Sequence, residues 1–161
     1  MSQYLDRILT LNLICTTIVF FMAARLYILP RLSKIEEKHI LIPILLLHSL
    51  RHLGMMFLTP GAIYSGMPPQ FAYPAAFGDL ITAVLAFVAI PFVLRESVAA
   101  RSLLWIFSLF GTMDLIAAIS LATIYNAPVH MGPSYWIPAF WVPSLLVTHY
   151  IVFIILIRRK R

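Results

Sequence analysis

The stretch ILIPILLLHSLRHLGMMFLT, residues 40–59, decides the fold. Its length and apolarity are those of a helix that crosses a bilayer, about 20 mostly apolar residues. Yet His48, Arg51 and His52 fall inside it. Ionisable side chains at that depth are costly and turn toward a bundle interior or a polar cavity. The span therefore needs neighbours that supply counter-charges and hydrogen-bond partners.

The rest of the chain supplies them. Four further apolar runs, roughly 8–29, 74–94, 103–125 and 137–157, have spanning length. Of the 161 residues 61% are apolar and 11% charged, and the mean hydropathy is +0.93. Soluble domains carry about 25% charged residues. The expected fold class is an all-α integral membrane protein, a bundle of five transmembrane helices forming a single polytopic domain over residues 1–161. The first run is too long for the apolar core of a signal peptide, and Asp6 stands beside Arg7 ahead of it. It is expected to be a retained span.

Loop charge gives the expected orientation. Residues 30–39 carry Arg31, Lys34 and Lys38, residues 95–102 carry Arg95 and Arg101, and the chain closes on Arg158, Arg159, Lys160 and Arg161. The segments 60–73 and 126–136 contain no Lys or Arg. The positive-inside rule puts the amino terminus outside and the carboxyl terminus in the cytoplasm, in the cytoplasmic (inner) membrane, with only Arg7 dissenting. The basic tail reads as a flank held by anionic lipids. The net charge of +6 therefore does not point to nucleic acid, because no soluble basic surface carries it. The uncharged segments, rich in Pro, Gly and aromatic residues, read as an interfacial belt or as a lid over something between the helices.

At about 100° per residue, His48, Arg51, His52 and Met55 share one face of the second span. Asp79 shares a face with Ala75, Ala76, Thr82, Ala83 and Ala86, and Asp114 one with Gly111, Ala117 and Ala118. Asn12, Thr16 and Ala23 align in the first span, and His149 is the main titratable group of the fifth. Small residues beside polar ones let helices approach and hydrogen-bond, so these faces should meet. By a rise of about 1.5 Å per residue, His48, Asp114 and His149 form a deep layer, and Arg51, His52 and Asp79 a shallower one. If Arg51 pairs with Asp79, Asp114 is left uncompensated beside two histidines, and a proton, a metal ion or a cationic group should balance it.

Three functions use this cluster. In the first, His48 and His149 are axial ligands of noncovalent haem b, with Arg51 near a propionate; or one transition-metal ion is held by His48, Asp114 and His149, or by His48 and His52. Arg51, Asp79 and Asn12 would support that site as ion-pair or hydrogen-bond partners. In the second, the cluster is the proton relay of a small-solute transporter or channel subunit, for which an oligomer would enclose the path. In the third, it is an ion-pair network that fixes helix register in an accessory subunit. Hydrolytic and nucleotide motifs such as GxSxG, HExxH, GxxxxGK and GxGxxG are missing from the sequence. Its single cysteine, Cys15, excludes an internal disulfide and a cysteine metal cage.

Overall fold

The computed structural model describes residues 2–158, with side chains from Arg7 onward. Arg159, Lys160 and Arg161 of the basic tail lie outside the described residues. Helix α1 covers Ser2–Ala23 and runs through a π turn, Ala24–Ile28, to Arg31. Helix α2 covers Glu37–Ser49 and continues as a 3₁₀ helix, Leu50–Leu58. Helices α3, Pro69–Leu94, and α4, Val98–Ile124, follow, and a π turn, Ile137–Trp141, leads into α5, Val142–Ile157. All five helices are long and apolar enough to cross a membrane, and there is no β-strand among the described residues.

Local chemistry sets the helix ends. Pro69 opens α3 five residues before the apolar run at 74, because proline lacks the N–H that the first turn leaves unpaired anyway. At its other end Glu96 adopts a left-handed conformation (φ 50°), Ser97 N–H donates to Phe92 O, and Glu96 N–H donates to Val93 O. That pair of bonds is a Schellman motif. The Ser97 hydroxyl then accepts from Ala99 N–H at 3.4 Å and caps α4. One short link thus ends one span and starts the next. Asn126 (φ 53°) ends α4 in the same left-handed region, which asparagine tolerates better than most residues.

Two apolar clusters fill the bundle. One gathers Leu45, Ala86, Phe107, Val147 and Ile151 toward the basic end; the other gathers Phe57, Ala75, Leu115, Met131 and Leu145 toward the uncharged loops. His48, Arg51, Asp79 and Gly111 lie between these clusters along their helices, and His149 joins them from between Val147 and Ile151 of the first cluster, so a polar layer crosses the bundle.

The two uncharged loops are stitched together. Tyr64 N–H donates to His130 O at 2.9 Å, Ser134 donates to Ala62 O from both N–H (3.0 Å) and hydroxyl (2.7 Å), and His130 Nδ1–H donates to Ser65 O at 3.0 Å. Met131 and Ser134 are fully buried beneath them. They form a folded cap rather than two independent turns. At the opposite end Lys38 pairs with Glu36 and Glu96, and Arg101 donates to Leu156 O. The Lys38 ammonium holds the Glu36 carboxyl below its ordinary range. A groove of about 610 Å³ opens there among these helix ends, away from the polar layer.

The left-handed end of α4 is testable. Asn126→Ala should lower stability by about 1 kcal/mol, seen as a lower melting temperature in detergent, while Asn126→Gly should leave it unchanged or raise it.

Candidate functional site

Arg51 organises the polar layer. The α-helix of the second span tightens to 3₁₀ at Leu50, so the inward face repeats every three residues, at about 120° per residue. The buried residues are accordingly His48, Arg51, Gly54 and Phe57. The α-helical spacing of the sequence reading put His52 and Met55 on that face instead. The tighter helix turns His52 outward, where it is exposed and its Nδ1–H donates to Ser49 O at 3.0 Å. His52 is therefore not part of the cluster and does not chelate with His48.

Arg51 has no exposed surface, and its guanidinium is held from three helices. Nε–H donates to Asp79 Oδ1 of α3 at 2.6 Å, and Nη2–H to Asp114 Oδ2 of α4 at 2.6 Å. Nη1–H lies 3.3 Å from Gly111 O and 3.5 Å from His149 Nε2. The rigid fork of arginine suits such a junction, which a lysine ammonium could not span. The expected Arg51–Asp79 pair is present, but Asp114 is not left over: one guanidinium serves both carboxylates and joins the two expected layers.

The hydrogen bonds also fix the histidine tautomers. Thr148 gives its hydroxyl hydrogen to Ser144 O or Leu145 O, so it accepts from His48 Nε2–H at 2.8 Å. His48 Nδ1 then carries a lone pair, is buried, and meets no partner among the described residues. His149 Nε2 faces the Arg51 donor, so its Nδ1–H donates to Ser108 Oγ at 3.1 Å. The two imidazole rings lie 4.2 Å apart at 55°, with Phe107 4.9 Å from each. The depth match expected for His48 and His149 is present as ring contact.

Close helix approach depends on three glycines. A Cβ on Gly54 would overlap Asp79, one on Gly78 would overlap Asp114, and one on Gly111 would overlap the His149 ring. Each glycine makes room for a site side chain of the next packed helix. Gly54 and Gly78 carried no weight in the sequence reading, although Gly78 directly precedes Asp79. Small residues at helix interfaces were the available signal. Asn12 lies elsewhere: its amide donates to the Tyr135 hydroxyl at 3.2 Å, tying α1 to the cap.

No group of three or more His, Cys, Asp or Glu side chains among the described residues is placed to hold a metal ion. Between His48 and His149 the rings leave no gap for a macrocycle, and Thr148, Ser108 and Arg51 occupy three of the four ring nitrogens. An ion or haem b would need these contacts to open.

Two predictions follow from the packing and the charges. Gly78→Ala should cost about 1–3 kcal/mol by overpacking, read as a lower melting temperature in detergent. Arg51→Met alone should cost about 3–5 kcal/mol because it strands two largely buried carboxylates. Combining it with Asp79→Leu and Asp114→Leu should recover most of that loss, whereas a triple variant less stable than Arg51→Met would count against the ion-pair account.

Comparison with known proteins adds a family and no activity. No curated protein and no solved structure matches the chain. A family model described as Domain of unknown function (DUF8737) matches residues 8–157, and the chain belongs to that family.

Proposed function

We propose that this protein is a proton-coupled small-solute carrier of the cytoplasmic membrane, with Arg51, Asp79 and Asp114 as its proton-binding centre. The observation that carries the reading is the charge count at Arg51. One guanidinium at 2.6 Å from each of two carboxylates leaves one negative charge in excess. An excess charge in a layer enclosed by apolar clusters is strongly disfavoured. A proton on either carboxylate restores neutrality, and so does a cation of another kind. A centre with one vacancy for positive charge can load and unload it, which is the elementary act of coupled transport.

The surroundings fit that role. His48 Nδ1 is an unpartnered acceptor within the layer. Asp79 and Asp114 retain 13% and 12% exposure while Arg51 has none, so the carboxylates are the reachable members. Arg31, Lys34, Lys38, Arg95 and Arg101 at one end, against loops without Lys or Arg at the other, support insertion with the cap outside. The exposed apolar face of α1, with Ile14, Ile18 and Val19, then faces lipid or a second copy. Haem b or a metal ion remains the reading that uses the histidines as ligands. The engaged ring nitrogens make it the less supported one.

The charge count makes a prediction that a fully ionised ion-pair network does not share. Infrared spectra of the purified protein should show a carboxylic-acid band that disappears as pH rises. Asp79→Asn and Asp114→Asn should each abolish it, because the remaining carboxylate is then matched by Arg51 alone. A wild type without that band at any pH would sink the proposal. An absorption spectrum and metal analysis of the same sample test the cofactor reading, and a Soret band that His48→Ala and His149→Ala both remove would replace the carrier with a haem protein.

A further inference from the structure

The polar layer has a second neighbour besides the apolar clusters. A cavity of about 100 Å³ lies under the cap, walled by Leu9, Phe57, Phe71, Leu115, Met131 and Ile137, and it ends on Asp79. Neither Arg51 nor Asp114 lines it. The cavity therefore meets the centre only through a carboxylate, although a cation lies directly behind.

The cavity carries its one charge at Asp79, with hydroxyls at Thr10 and Thr123. Asp79 gives Oδ1 to Arg51 Nε–H, and its other oxygen lies against Gly54. Thr123, which also lines the cavity, donates its hydroxyl hydrogen to Ile119 O at 3.1 Å and so presents only lone pairs. A ligand here meets hydrogen-bond acceptors at Asp79 and Thr123, the Thr10 hydroxyl, and apolar side chains along most of the remaining wall. At about 100 Å³ the cavity is smaller than the engineered apolar cavity of about 150 Å³ that holds benzene, which limits the apolar part to a short branched chain.

We propose that this cavity binds a small apolar primary amine in its ammonium form, with the charge on Asp79 and the hydrocarbon among the walls. The inference rests on the proton-binding reading of the centre and names its solute. The exchange balances: an ammonium enters already protonated, one proton leaves a carboxylic-acid oxygen of the Arg51–Asp79–Asp114 centre, and net charge is unchanged. Proton and amine thus compete for one vacancy, which gives exchange of one for the other. A neutral or anionic molecule of the same size lacks the charge to displace the proton.

The test is calorimetric titration of the detergent-purified chain with isobutylamine, isobutyl alcohol and isopentane, in two buffers of different ionisation heat, at a pH where the infrared acid band is present. Isobutylamine should bind with release of about one proton, and about tenfold or more tighter than isobutyl alcohol or isopentane. Asp79→Asn should weaken isobutylamine by about tenfold or more. Ala118→Phe, which fills the cavity from a half-buried position and replaces no member of the ion pairs, should abolish binding while keeping the infrared band. Isopentane binding as tightly as isobutylamine, or isobutylamine binding without proton release, would overturn the inference. So would no isobutylamine binding in protein that keeps the acid band, and in that case the proton-binding centre itself would stand. Loss of the band as well would remove both.

Discussion

A guanidinium with no exposed surface inside an apolar bundle must carry its counter-charges with it, and at Arg51 they come from two other helices. The Asp79 and Asp114 bonds draw α3 and α4 onto the second span, and the Gly111 carbonyl and His149 extend the contact to α5. A buried charge pair gains little net stability over apolar packing, because desolvation offsets the Coulomb attraction. What it gains is uniqueness. Leucine and alanine faces can slide past one another with little penalty, whereas a fork bonded at 2.6 Å to two carboxylates permits one register. The glycines at 54, 78 and 111 follow from that register, since each stands where a site side chain of the next helix must pass.

The 3₁₀ segment Leu50–Leu58 is the other consequence of placing Arg51 there. A run of this length is unusual because its hydrogen bonds are poorer than those of an α-helix. It aligns His48, Arg51, Gly54 and Phe57 on one face, so that the charge, the gap for Asp79 and the wall of the cavity succeed one another along one line. An α-helix over the same residues would turn Gly54 from Asp79 and present Met55 in its place. Backbone geometry is here subordinate to a side-chain junction, which is the arrangement expected where function sets the local structure.

Much of this was legible in the sequence for a simple physical reason. Apolar runs of spanning length identify five helices whatever their contacts, and ionisable residues inside such runs must turn inward. His48, Arg51, Asp79, Asp114 and His149 therefore announced the cluster. What the sequence could not carry was anything that depends on departure from ideal α geometry. His52 was assigned to the cluster by the α-helical period, and the change to 3₁₀ at Leu50 removed it. Pairing Arg51 with Asp79 alone followed from matching depths, but a five-donor fork can reach across two layers, and only packing decides that it does. Gly54 and Gly78 looked like ordinary helix residues because their role is what they leave room for.

The two carboxylates are alike in chemistry and unequal in their access to the cavity, and in the proposed carrier this inequality gives the centre a direction. Asp79 forms the floor of the cavity below the cap, while Asp114 lies against Gly78 and does not reach it. If both opened into the same space, a second cation could enter beside the first, and the site would bind ions without exchanging them. With Asp114 and the Gly111 carbonyl holding Arg51 from behind, the guanidinium stays fixed when the charge on Asp79 changes. Under the proposed exchange, Asp79 alternates between a proton and an ammonium against a constant background. Fixed dipoles and charges that need not reorganise are what make such an alternation inexpensive in a low-dielectric interior. The bridging arginine is thus a structural clamp and, in the proposed carrier, the reference charge for exchange.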